Sequence, residues 1–174
     1  MIQEESSLWR KPMSDSKWQE LIADLKSSMA MLDQGSVQPI AKRICHAVQW
    51  LDLIMAKYCA ITCSSCDDPC CGAEAVFYNR TDMLSLLAMG IAPSPGQTRT
   101  SPNQPCRYLT PAGCRLPRIA RPYVCVWFLC QAQMELFQSE SGSTPREFIR
   151  SLESIRADRM RLESLYEIRF PKLA

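Results

Sequence analysis

Histidine is almost missing from this chain: among 174 residues, only His46 carries an imidazole. A single imidazole excludes multi-histidine metal sites and also argues against histidine-based hydrolysis. His46 falls in the middle of a predicted helix, where we expect a hydrogen-bonded structural residue and not a ligand. The chemistry of the chain is therefore expected to depend on other side chains.

An excess of one charge sign is lacking too, since 20 Lys and Arg residues face 18 Asp and Glu residues, for a net charge of +2. Nucleic-acid-binding domains usually carry a strongly basic surface, so we predict no nucleic-acid partner. Hydrophobic residues make up 47% and charged residues 22%, which is typical of a globular protein. A chain of this length predicts one domain with a core of its own.

Long hydrophobic runs do not occur either. One of the longest, VCVWFLC at Val124–Cys130, is far shorter than the roughly 20 residues that span a bilayer. The first twenty residues lack the apolar core of a signal peptide. The sequence therefore predicts a soluble, cytoplasmic protein that does not associate with a membrane.

Cysteine, in contrast, is abundant, with ten residues. In a reducing cytosol a dense cysteine pattern indicates metal binding or redox chemistry more than permanent disulfides. Eight of the ten form two groups of four, and we predict them as metal ligands: Cys63, Cys66, Cys70, Cys71, Cys106, Cys114, Cys125 and Cys130.

Thiolate is a soft donor that suits both zinc and iron-sulfur clusters, so the spacing leaves the choice between these cofactors open. Neighbouring side chains point in different directions, so we expect Cys70 and Cys71 to serve different partners. The eight could form two four-sulfur sites, or one site plus a reactive thiol pair. The remaining two, Cys45 and Cys59, lie on one face of a predicted helix, and we interpret them as packing residues.

Hydrophobic periodicity predicts a mainly α-helical single domain with a small irregular β element organised by the cysteines. We divide it into an N-terminal helical pair (1–62), a cysteine-cluster metal-binding core (63–130) and a C-terminal helix (131–174). The predicted helices cover Ser14–Gly35, about Pro39–Tyr58, Asp82–Gly90 after a Thr81 cap, and the residues from a Thr144 cap onward. The other predicted elements are a strand-like EAVFYN stretch, a flexible loop at Ile91–Pro105 and a hairpin at Cys106–Leu116.

Two further expectations concern the middle region. We expect residues 63–130 to carry too little regular apolar surface to become ordered without metal. The stretch RPYVCVWFLC, from Arg121 to Cys130, is expected to pack in the core around the metal.

The order C-x2-C-x3-CC, then CRYLTPAGC, then RPYVC resembles the YkgJ-type cysteine-cluster family, described as a zinc- or iron-chelating domain with eight cysteines. The resemblance covers Cys63 to Cys130, with Arg121 and Pro122 as its Arg-Pro pair and Asp82 as its acidic residue opening a helix. It implies a metal site more firmly than a reaction.

We therefore predict a metal-binding protein without an assigned reaction, and leave open whether it is an enzyme and which protein partner it has. The alternatives are an iron-sulfur oxidoreductase or electron carrier, an accessory to a protein-modifying enzyme, and a thiol redox sensor acting through Cys70 and Cys71. The spacing Cys59-x3-Cys63-x2-Cys66 matches the radical-SAM cluster loop, but Ser65 stands where that loop has an aromatic residue, so we reject that interpretation.

Overall fold

A computed structural model of the chain describes residues 8–63, 66–67, 76–111 and 113–171. The described part is mainly helical, with one two-stranded sheet. Six α-helices lie within it: α1 (Asp15–Ala30), α2 (Gln34–Thr62), α3 (Arg80–Ala88), α4 (Tyr123–Trp127), α5 (Gln131–Ser139) and α6 (Thr144–Arg169). The strands are β1 (Leu109–Thr110) and β2 (Gly113–Cys114), and a 3-10 turn spans Arg118–Ala120.

The first two helices form as the apolar periodicity predicts, but their boundaries differ. Helix α1 is capped by Ser14, whose hydroxyl accepts a hydrogen bond from the Lys17 amide, and it already ends at Ala30. Asp33 caps α2, and its carboxylate accepts hydrogen bonds from two amides of the first turn. Gly35 therefore lies at the start of α2 and does not end α1, while Pro39 lies inside α2 and does not open it.

Helix α3 begins two residues before the predicted position, because Asn79 and not Thr81 is its cap. The Asn79 side chain accepts from the Asp82 amide, and the Asp82 carboxylate accepts from the Asn79 amide, which completes a capping box. Residues 76–79, the described part of the EAVFYN stretch, form no strand, so the expected strand character is wrong there; residues 74–75 lie outside the described residues.

The predicted hairpin is confirmed. Strands β1 and β2 pair antiparallel, with Leu109 opposite Cys114 and Thr110 opposite Gly113. Gly113 has φ +98°, a left-handed conformation that favours glycine at the end of so tight a turn.

The C-terminal part holds two helices where one is predicted, because α5 precedes α6 across a short turn. The start of α6 agrees with its predicted Pro145, although the cap is Ser143 and its side chain makes no capping bond. Helix α2 packs along α6, and α3 packs against both α6 and α1. No described helix is long and apolar enough to cross a membrane.

The segment from 91 to 105 has no helix or strand, as predicted, and its middle part is buried. Its flexibility stays a prediction. Gln97 is fully buried, and its amide bonds four backbone groups: it accepts from the Tyr78 and Thr98 amides and donates to the Trp9 and Tyr78 carbonyls. The Trp18 indole also donates to the Ser94 carbonyl at 2.8 Å.

The middle region contributes fully to the apolar core. The continuous buried cluster includes, from residues 63–130, Tyr78, Met83, Leu84, Leu86, Ala88, Tyr108 and Val126. That this region needs metal to become ordered stays a prediction. The prediction of core packing for Arg121–Cys130 holds for Val126, but Trp127 and Phe128 are 39% and 38% exposed.

Candidate functional site

Three cysteines lie where the end of α2 meets the start of α5. Cys59 lies in the last turn of α2, Cys63 is its C-cap, and Cys130 caps α5. Gln133, one turn into α5, is buried and donates from Nε2 to the sulfurs of Cys59 at 3.5 Å and Cys63 at 3.6 Å. One amide side chain thus connects two thiols of α2 to the helix that carries the third.

The buried Arg118 in the 3-10 turn links this thiol set to α4. Its Nη2 lies 3.5 Å from the Cys59 sulfur, its Nη1 donates to the Cys125 carbonyl at 3.1 Å, and its Nε donates to Asp52 at 2.8 Å. Cys59 therefore receives two N–H donors, one of them cationic. Such N–H to sulfur contacts stabilise negative charge on a thiolate.

The electrostatics of Cys63 reflect its neighbours. Partial desolvation raises the pKa of the Cys63 thiol, and the nearby Cys59 and Cys130 thiols add to the shift, while a hydrogen bond with Thr62 lowers it. The residue as a whole is nevertheless exposed at the surface. A cation between these sulfurs would reverse the unfavourable interaction, because ligation requires the deprotonated form.

The other predicted ligands occupy separate elements. Cys125 lies in α4, Cys114 in β2, and Cys106 just before β1, where Cys106 and Cys114 pack against the apolar core. Cys66 is exposed, whereas Cys70 and Cys71 lie outside the described residues. The structure thus places Cys63 and Cys130 near enough to interact electrostatically, and Arg118 links the backbone of Cys125 to the Cys59 thiol.

Within the described ranges, no three histidine, cysteine, aspartate or glutamate side chains converge closely enough to hold a metal ion. Six of the described cysteines are free thiols: Cys45, Cys59, Cys63, Cys66, Cys114 and Cys130.

Cys59, Gln133 and Arg118 are the site residues that the sequence did not single out. A signal for Cys59 existed, because Cys59 and Cys63 are four residues apart and share a face once α2 continues past Tyr58. The contacts of Gln133 and Arg118 depend on tertiary packing and leave no local pattern. His46 is exposed on α2 and bonds to none of the described residues, so its predicted hydrogen-bonded role is wrong.

Comparison with protein-family models, with curated proteins and with solved structures gives no match to this chain. The resemblance to the YkgJ-type family therefore stays a prediction.

Proposed function

We propose that this protein binds a metal, either zinc or an iron-sulfur cluster, through cysteine thiolates. The observation that carries the proposal is the convergence of the Cys59 and Cys63 thiols on the Gln133 amide, with Cys130 near enough to Cys63 to interact with it electrostatically. The ligand set we propose is drawn from these residues together with the other cysteines of the two groups: Cys66, Cys70, Cys71, Cys106, Cys114 and Cys125.

The donor chemistry fits such a group. Sulfur-only ligand sets suit zinc and iron-sulfur clusters and disfavour hard cations such as Mg²⁺ and Ca²⁺. Hydrogen bonds from N–H groups to ligating sulfur orient the ligand and tune the metal, and Arg118 and Gln133 already supply them to Cys59. Both residues are buried, so their donors are fixed before any metal binds.

Metal analysis of variants tests the proposal. We would purify the full chain without oxygen, measure zinc and iron per chain, and record the visible absorption that marks iron-sulfur clusters. The wild type is expected to retain metal, while Cys63→Ser and Cys130→Ser lose most of it. Cys45→Ser is the matched control, because Cys45 is also on α2 but fourteen residues, or about 21 Å, from Cys59.

Two results would reject the proposal. One is a wild-type chain that retains neither zinc nor iron after anaerobic growth in metal-supplemented medium. The other is equal metal content in the wild type and both variants. Stoichiometric iron with a reversible redox couple would instead indicate that the protein is an electron carrier.

A second candidate is thiol redox sensing, which the proximity of Cys59 to the exposed Cys63 favours. Hydrogen peroxide would oxidise the two thiols to one disulfide and be reduced to two waters. The raised pKa of the Cys63 thiol weakens this candidate, because the thiolate is the reactive form. Peptide mass spectrometry of peroxide-treated, metal-free protein decides: a disulfide joining Cys59, Cys63 or Cys130 supports it, and unlinked thiols reject it.

A further inference from the structure

A second concave site lies where α3, α4 and α6 meet. It is an open cleft of about 580 Å³, within the range typical of ligand sites. Its apolar walls include Phe77, Trp127, Leu152 and Met160. Trp127 is 39% exposed and Met160 is 59% exposed, so the cleft wall presents two large apolar side chains to solvent.

The floor of the cleft is a buried ion pair. Arg159 donates to Asp82 at 2.8 Å, and its guanidinium lies 4.4 Å from the centre of the Tyr123 ring. The Asp82 carboxylate also accepts from the Asn79 and Tyr123 amides at 2.9 and 3.1 Å. Burial raises the pKa of the Asp82 carboxyl, while Arg159 and these two amides oppose the shift.

The acidic groups at the floor and inner wall are already occupied. Asp82 has three donors, and Glu163 accepts from Thr81 at 2.8 Å and from Arg80 at 3.4 Å. Neither carboxylate is therefore available as the main partner of a bound cation.

Donors, by contrast, remain available. Arg159 uses two of its five N–H groups, on Asp82 and Ser85. Arg156, one turn earlier on α6, lines the cleft and forms no ion pair or hydrogen bond with the described residues. Glu153 is the single exposed acid beside it.

We propose that this cleft binds a carboxylate attached to an apolar body, as in an aromatic acid or the C-terminal residue of a peptide. The apolar body contacts Trp127 and Met160, and the carboxylate pairs with Arg156. An arginine beside a carboxylate forms charge-assisted, frequently bidentate hydrogen bonds, and an exposed tryptophan supplies rigid contact area.

Matched small probes test the charge requirement. The Trp127 indole N–H signal of the full-length protein would be followed by NMR during titration with N-acetylphenylalanine, its neutral amide and phenethylamine. We expect saturable shifts with the acid and at least tenfold weaker binding of the amide and the amine. Equal affinity for acid and amide, or tighter binding of the amine, would overturn the proposal.

Three variants place the interaction at specific residues. Arg156→Gln is expected to weaken binding of the acid about tenfold without changing binding of the amide. Glu153→Gln is expected to strengthen binding of the acid slightly. Arg150→Gln is the matched control, because Arg150 is exposed on α6 but does not line the cleft. An unchanged affinity in Arg156→Gln would overturn the proposal, and folding of each variant is checked by circular dichroism.

A longer probe separates the two sources of such a carboxylate. If acetyl-Gly-Gly-Phe binds more tightly than N-acetylphenylalanine, the occupant is a peptide C-terminus; if it binds equally or more weakly, the occupant is a small acid. A C-terminally amidated peptide that binds as tightly as the free acid would overturn both versions.

Discussion

The long helices and the 91–105 segment are held in place by different kinds of interaction. Helices α1, α2 and α6 each contribute fully buried apolar side chains to the core, among them Trp18, Val37, Leu51 and Leu162. The 91–105 segment has no regular structure and is held by side chains that bond to backbone, above all Gln97. Buried apolar area stabilises the first region, and hydrogen bonds from side chains to the backbone stabilise the second.

The two regions are therefore destabilised by different kinds of substitution. Removing an apolar group from the helices creates a cavity, and the cost grows with the volume that stays empty. Removing a polar group from the segment leaves buried donors and acceptors without partners, which costs more than the original hydrogen bond contributed. Three substitutions rank these effects.

The largest loss is expected from Leu51→Ala, at the centre of α2. Leu51 is fully buried, so we expect the free energy of unfolding to fall by about 4 kcal/mol in urea denaturation. Leu53→Ala on the same helix is the control, because Leu53 is 74% exposed and its truncation should change stability by less than about 0.5 kcal/mol. Equal losses in the two variants would contradict the apolar account of the helices.

A loss of about 3 kcal/mol is expected from Gln97→Leu, which keeps the volume but removes the amide that bonds four backbone groups. Gln131→Leu, at an exposed position of α5, should be nearly neutral. Hydrogen exchange at the Tyr78 and Thr98 amides should accelerate in Gln97→Leu. Unchanged stability would show that the segment is held by apolar contacts after all.

The smallest effect is expected from Asp158→Asn, about 1 kcal/mol at neutral pH. Asp158 is buried and pairs with Arg43 at 2.7 Å, but Arg43 is 47% exposed, so solvent screens the pair. Desolvation raises the pKa of Asp158, but Arg43 and Arg161 together outweigh it and leave the pKa below its ordinary value.

The pH dependence follows from that direction. A carboxyl whose pKa is lower in the folded state stabilises the protein above its unfolded pKa, and this contribution is lost as the pH falls through the folded value. The difference in unfolding free energy between wild type and Asp158→Asn should therefore shrink below about pH 4. A difference that stays constant down to pH 2 would assign the effect to packing.

The sequence predicts the long helices well because their apolar spacing is a local signal. Their ends are predicted less well, since several residues can serve as a cap and tertiary contacts select among them. The usual positions of Gly35 and Pro39 predict helix boundaries there, yet the Asp33 cap starts α2 before both. The order of the 91–105 segment was not predictable, because the partners of Gln97 lie as far away as Trp9.

The candidate site, like the fold, can be predicted from the sequence only in part. Two groups of four cysteines are visible in the sequence, but which sulfurs approach one another depends on where α2 ends. Because α2 continues to Thr62, Cys59 lies one turn before Cys63 and interacts with it, although the sequence predicts Cys59 as a packing residue. The buried donors Arg118 and Gln133 come from distant elements and become apparent only in the folded chain.

X-ray absorption at the zinc and iron edges of anaerobically purified protein tests the central claim of thiolate ligation most directly. We predict one metal edge whose first shell consists of sulfur, at about 2.3 Å for zinc. Cys63→Ser should lose sulfur from that shell or lose the metal, while Cys45→Ser keeps the wild-type spectrum. A first shell made only of oxygen or nitrogen near 2.0–2.1 Å would contradict thiolate binding, as would the absence of both metals.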